Sequence, residues 1–195
     1  MNTLELDITK RYTFADYITW ADDVRRELFD GFIKLMTPAP VRRHQGVSMR
    51  LSSLFYYHIE KNIGTCNVYH APFDVRFPKK TKKNNKDVYT VVQPDIVVVC
   101  DPEKLDDYGC IGAPDLIVEI VSPTSVTRDV KDKFVLYEAE GVREYWIVYP
   151  GEDTISIFVL ENGKYQLKGM YTKEDKVKPS IFDDLEIDLE NVFKD

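Results

Sequence analysis

The segment "APDLIVEIVSP", residues 113–123, constrains the fold more than any other part of the chain. Leu116, Ile117, Val118, Ile120 and Val121 read as a strand buried on both faces, the pattern of a central strand in an α/β sheet. Glu119 lies in the middle of that run. An ionised carboxylate among apolar neighbours is costly unless charge or hydrogen bonds compensate it. Whatever fold this sequence adopts must bring a compensating group to position 119.

Side chains alternate along a strand, so Asp115, Ile117, Glu119 and Val121 share one face. Asp115 and Glu119 are roughly 13 Å apart along a strand and cannot hold one ion together. Asp95 is the better partner, because it too leads into a buried run, "DIVVVC" (95–100). If these two strands are neighbours, the carboxylates converge, repel, and one of them takes up a proton. A divalent cation removes that conflict. A set of two carboxylates, a backbone carbonyl (that of Ile120) and waters suits Mg²⁺ or Mn²⁺. Such an ion can activate water and stabilise a phosphoryl transition state. The alternative compensation is a structural ion pair with Arg128 or Lys133.

A lysine beside the acids would balance charge on a phosphate or orient the water. Residues 129–140, "DVKDKFVLYEAE", read as a helix closed by Gly141, with Val130, Phe134 and Tyr137 as its inward stripe. At ~100° per residue, Lys133 lies close to Tyr137, whereas Lys131 falls on the opposite flank of Val130. Lys133 is therefore the better placed, although a lysine there can also snorkel over apolar surface.

The remaining pattern is mixed. Thr13 and Asp16 resemble a capping box and open a short helix to about Trp20. "ELFDGFIKLM" (27–36) reads as a hairpin around Asp30-Gly31, and His44–Asn62 as a long helix with Val47, Leu51, Leu54 and His58 on one face. "TCNVYHAPFDVRF" (65–77) gives one or two strands and "VVQPDIVVVC" (91–100) one strand, followed by a polar stretch to Gly112. "REYWIVYP" (143–150) is a further strand, and a hairpin follows around Asn162-Gly163. No linker divides the chain, so the expectation is one α/β domain over residues 1–195, with a mixed central β-sheet flanked by helices and added β-hairpins.

Composition limits the partners. The chain of 195 residues is 44% hydrophobic and 30% charged, with a net charge of −7. Residues 183–195 contribute −5 of that, which leaves the rest nearly neutral. Residues 79–86, "KKTKKNNK", carry five lysines and read as a phosphate-attracting loop or a solvated one. No apolar run approaches a membrane span, and "MNTLELDITKRYTF" lacks the apolar core of a signal peptide. Three cysteines (Cys66, Cys100, Cys110) without a CxxC pair point to a cytoplasmic, reduced protein without zinc, with Cys100 in plain packing.

Together, "QPDIVVV", "APDLIVEIVSPTS", "RDVKDKFVLYEAEGVREYWIVYP", "ELFDGFI" and "HQG" resemble the Uma-two family of restriction endonucleases, within the PD-(D/E)XK nuclease superfamily. The resemblance runs from about Thr13 to Phe193. It implies a restriction-endonuclease-like core with Asp95 and Glu119 as metal-binding acids. The superfamily's usual lysine position on the same strand is Val121 here; the resemblance places the lysine on the next helix, at Lys133. Glu27 matches an acid supplied from the N-terminal part, His44 and Gln45 a His-Gln pair at the start of the long helix, and Tyr137 a helix tyrosine. The implied activity is Mg²⁺- or Mn²⁺-dependent hydrolysis of DNA phosphodiesters, with Glu27 or His44 assisting. A homodimer is a further expectation, with "EYWIV" and the C-terminal strands as its interface. The rival reading is a catalytically inactive binding or interaction module that keeps the nuclease fold.

Overall fold

The computed structural model describes residues 4–22, 24–36, 41–62, 64–79, 84–121 and 128–194. In chain order these form α1 (Phe14–Tyr17), β1 (Arg26–Phe29), β2 (Phe32–Leu35), α2 (Arg42–Lys61), β3 (Asn67–His70), β4 (Val75–Pro78), β5 (Val88–Val92) and β6 (Ile96–Val99). There follow β7 (Leu105–Asp106), β8 (Gly109–Ile111), β9 (Leu116–Ile120), α3 (Arg128–Glu140), β10 (Glu144–Tyr149), β11 (Thr154–Glu161), β12 (Lys164–Thr172), β13 (Lys176–Val177), β14 (Ile187–Asp188) and α4 (Leu189–Phe193).

The expected α/β class holds, with one enlargement. The central mixed sheet has the order β12-β11-β10-β9-β6-β3, and a second six-stranded sheet, β2-β1-β5-β4-β8-β7, packs beside it. In the central sheet β9 and β10 are parallel, joined through α3, while β6 and β9 are antiparallel neighbours. The adjacency on which the carboxylate argument depends is therefore present.

Two layers of core fix this arrangement. On one face of the central sheet, Val47, Leu51 and Phe55 of α2 and the α4 residues Leu189, Val192 and Phe193 pack on Leu116, Val118, Ile120 and Trp146. Burying each such side chain is worth about 1.5–3 kcal/mol, which ties α2 rigidly to β9. On the other face, Val75, Phe77 and Val92 of the second sheet and Tyr137 of α3 meet Val97, Ile117, Tyr145 and Ile147.

Local chemistry accounts for the turns. Asp30 and Gly31 (φ 49° and 88°) and Asn162 and Gly163 (φ 51° and 77°) take the left-handed conformations that two-residue hairpin loops require. At α1, the Asp16 carboxylate accepts from the Thr13 backbone N–H and hydroxyl, as the capping-box spacing predicts.

Four expectations need correction. Residues 91–100 are not one strand: Gln93-Pro94-Asp95 separates β5 in one sheet from β6 in the other, because Pro94 has no N–H to continue a ladder. The stretch before Gly112 is not merely polar loop, since Leu105–Asp106 and Gly109–Ile111 pair antiparallel. The "EYWIV" strand cannot serve as an interface: β10 lies between β9 and β11, and Tyr145, Trp146, Ile147 and Val148 are buried. The lysine loop falls largely outside the described residues at 80–83; Lys79 pairs with Asp30.

The fourth correction concerns the cysteines. Cys66 and Cys100 are not free thiols but form a disulfide, and only Cys110 is a buried thiol among the described residues. The register Asn67↔Val99 places Cys66 and Cys100 opposite one another, one step beyond the β3–β6 ladder. With a sequence separation of 34, the bridge should stabilise the fold by about 3–4 kcal/mol through the unfolded chain. Urea unfolding with and without reductant should show that loss; coincident curves would contradict it.

Candidate active site

The seam between the two sheets gathers side chains from five elements. Glu27 comes from β1, Asp95 from the connector into β6, Glu119 from β9, Lys133 and Tyr137 from α3, and His44 from the first turn of α2. Glu27, His44, Asp95, Glu119, Lys133 and Tyr137 therefore face this seam, whereas Gln45 is exposed. Asp115 does not face it; it accepts from the Cys100 N–H and from Arg143 at the other end of β9, a structural role.

Lys133 is the hub. Its Nζ lies 2.9 Å from Glu27 Oε1 and 2.9 Å from Glu119 Oε1. All three side chains are nearly closed off, at 10%, 7% and 13% exposure. Lys131 is exposed, so the choice between the two lysines by helix angle holds. The Tyr137 hydroxyl donates to the same Glu119 Oε1 at 2.7 Å, which leaves Oε2 without a hydrogen bond from the described residues. Burial strongly opposes ionisation of the lysine, yet the Glu119 and Glu27 carboxylates outweigh it and hold the ammonium above its ordinary value.

Glu119 experiences the reverse balance. Burial raises its carboxyl to about 7; Lys133 opposes the rise, and the charges of Asp95 and Glu27 add to it. The Asp95 carboxylate is oriented by two contacts. Oδ2 accepts from the N–H of Ile120, the residue next to Glu119, at 2.7 Å, and Oδ1 lies 3.3 Å from His44 Nε2. Although burial works against charging His44, the Asp95 carboxylate, the Ile120 carbonyl and Glu119 raise its value overall. Three acids thus face one lysine and one histidine, so negative charge is in excess.

Sequence reasoning missed the support behind these groups. The Gln93 N–H donates to Glu27 Oε1 at 2.9 Å, while its side-chain amide donates to Asp74 and the Tyr17 hydroxyl and accepts from Arg25. Lys34, opposite Glu27 in the hairpin register, reaches Asp132 at 2.7 Å, beside Lys133. The signal for Gln93 was its place in "QPD"; nothing local marked Lys34 or Asp132.

Tyr137→Phe should cost about 1–2 kcal/mol, since it removes one hydrogen bond from a buried carboxylate and leaves the ring packing intact. Urea unfolding measures this, and unchanged stability would show that the hydroxyl contributes nothing.

This constellation can be compared with known proteins. The sequence pattern of the Uma2 family, described as "Putative restriction endonuclease", matches residues 14–190. The chain belongs to the Uma2 family. An uncharacterized protein of Synechocystis is 32% identical to this Uma2 chain over 124 residues, 63% of this chain and 60% of the relative. The aligned part thus spans less than two thirds of that relative. A crystal structure described as "a putative nuclease belonging to DUF820" from Anabaena variabilis superposes with a TM-score of 0.69. It covers 93% of this Uma2 chain and 97% of its own at 18% identity, a likeness of fold. Among the described residues, no helix is long and apolar enough to cross a membrane.

Proposed function

We propose that this Uma2 protein is a metal-dependent endonuclease that hydrolyses phosphodiester bonds in DNA. One observation carries the reading: Glu119 and Glu27 share the Lys133 ammonium while the Asp95 carboxylate sits on the N–H of Ile120, the residue next to Glu119. A structural ion pair needs one acid for one base. Three acids facing one lysine and one histidine leave a deficit of positive charge that a divalent cation would fill.

The donor chemistry fits a hard cation. Asp95, Glu119 through Oε2, and the Ile120 carbonyl offer oxygen only, the preference of Mg²⁺ and Mn²⁺. Bound there, the ion would supply Lewis acidity and a water of lowered pKa. The chain's own groups do the rest. Lys133, protonated between its two carboxylates, offers a fixed positive charge to a phosphate oxygen as negative charge builds there. The Ile120 N–H and His44 hold Asp95 in place, and Tyr137 holds Glu119. Glu27 keeps the lysine oriented, itself fixed by the Gln93 N–H.

A catalytically inactive binding module is the competing reading. It draws support from one fact: among the described residues, no three of His, Cys, Asp and Glu form a ready metal-ligand cluster. A cleavage assay separates the two. DNA, single- and double-stranded, with RNA alongside, should be cut in Mg²⁺ or Mn²⁺ and left intact in chelator. Equal cleavage in chelator, or none of any substrate with either ion, contradicts the proposal.

A further inference from the structure

The site face of the central sheet holds a buried polar group that the chemistry above does not use. Tyr145 of β10 is fully buried, and its hydroxyl has no hydrogen-bond partner among the described residues. Two tyrosines in contact with its ring are satisfied: Tyr137 donates to Glu119, and Tyr165 donates to the Val142 carbonyl at 3.0 Å. A buried O–H without a partner costs free energy and calls for an explanation. Phenylalanine would fill the same space without that cost.

The strand register puts Tyr145 beside Glu119. β9 and β10 run parallel, with Tyr145 opposite Ile117 and Ile147 opposite Glu119. Paired residues share a face, so Tyr145 lies on the face of Ile117 and Glu119 and is the diagonal neighbour of Glu119. Such positions are roughly 8 Å apart at the backbone, a span that a tyrosine side chain can largely cross. The Tyr145 ring packs edge-on against Tyr137, with centroids 5.1 Å apart, and Tyr137 is the residue whose hydroxyl meets Glu119 Oε1. Burial first, and then the charge of Glu119, raises the Tyr145 hydroxyl well above its ordinary value, so it stays protonated and able to donate.

Glu119 shows the complementary lack. Lys133 and Tyr137 both meet Oε1, and Oε2 receives no hydrogen bond from the described residues. An unmet donor and an unmet acceptor therefore lie on one closed face, on neighbouring strands. Phe134 and Phe158, which also pack on the Tyr145 ring, have no acceptor to offer it. No direct bond joins the hydroxyl to Glu119. One water that touches both groups satisfies them together, as buried waters do between polar atoms that the chain leaves unpaired.

We propose that Tyr145 is a positioning residue of the carboxylate site: its hydroxyl holds a water against Glu119 Oε2 and so orients the oxygen that is offered to a divalent cation. The role toward the cation rests on the nuclease reading; the contact between Tyr145 and Glu119 does not. Two tyrosines then divide the work on one carboxylate. Tyr137 fixes Oε1 directly, and Tyr145 fixes Oε2 through the water.

A double-mutant cycle, read by urea unfolding in chelator, tests the contact. Tyr145→Phe should lower the unfolding midpoint of wild type and leave that of Glu119→Ala unchanged. Tyr165→Phe, which removes the hydroxyl bonded to the Val142 carbonyl, should lower both alike. Calorimetry with Mn²⁺ tests the consequence. Tyr145→Phe should bind the ion about tenfold more weakly than wild type, the scale of losing a hydrogen bond behind a metal ligand, and Tyr165→Phe should bind it as wild type does. A tyrosine that only packs behaves differently: its replacement by phenylalanine raises the midpoint, leaves it unchanged, or lowers it equally in both backgrounds. Any of these results overturns the contact, and equal Mn²⁺ affinity in Tyr145→Phe and wild type overturns the positioning role. Mn²⁺ binding to wild type without coupling between Tyr145 and Glu119 would remove the proposal and keep the nuclease reading. Coupling in a wild type that binds no Mn²⁺ would remove the nuclease reading, and the positioning role with it, and keep the contact.

Discussion

Glu119→Ala should abolish metal-dependent cleavage, with a fall of at least about 10³-fold, while the protein stays folded. The magnitude follows from what the residue is asked to do. Loss of a ligand to the ion that generates the nucleophile removes most of several kcal/mol of transition-state stabilisation, and each 1.36 kcal/mol is tenfold in rate. The folded state has less to lose. Burial already raises the Glu119 carboxyl to about 7, so ionising it in place is unfavourable, and alanine relieves that cost while Lys133 keeps Glu27 as a partner. A variant as active as wild type on every substrate would remove Glu119 from the chemistry.

Lys133→Met should instead act on stability. The lysine is buried and serves two carboxylates; removing it leaves Glu27 and Glu119 facing one another without a cation. Breaking a buried charged contact in this way typically costs about 3–5 kcal/mol. The loss should depend on pH in a defined direction. Glu119 has its folded value raised above 4.5, so the folded state binds the extra proton between that value and about 7, and stability falls as pH rises through this window. Without Lys133 the carboxyl rises further, so the variant should be weakest at pH 8 and recover toward pH 5 as the acids take up protons. Urea unfolding of both proteins at the two pH values measures this. A pH-independent loss would mean that packing, not charge, is what Lys133 supplies. Metal-dependent cleavage should be lost as well, so the two variants separate by stability rather than by activity.

What could be read in the sequence was local or periodic. A carboxylate in an apolar strand demands a partner, and the alternation of side chains gave its face. The angle between Lys133 and Tyr137 on a helix placed the ammonium, and Asp-Gly and Asn-Gly marked the two hairpins. What could not be read needed the pairing of distant strands. That Pro94 hands the chain from one sheet to the other is a fact of tertiary structure, since a buried run on either side looks like one strand. The bridge of Cys66 to Cys100 depends on the β3–β6 register, which spacing alone does not contain. Gln93 was hidden for a similar reason: a residue whose N–H holds Glu27 and whose side-chain amide reaches Asp74 and Tyr17 has meaning only once β1, β5, β4 and α1 are assembled.

The nuclease proposal requires a divalent cation gripped between Glu119 and Asp95, in addition to the Lys133 ammonium that Glu119 already meets. Isothermal calorimetry with Mn²⁺ tests that directly, on wild type and on Asp95→Asn, which keeps the shape of the side chain and removes its charge. Wild type should bind Mn²⁺ saturably, and Asp95→Asn should bind it at least about tenfold more weakly, the scale of losing one charged ligand. No heat of binding in wild type, or equal affinity in both proteins, would contradict the nuclease proposal.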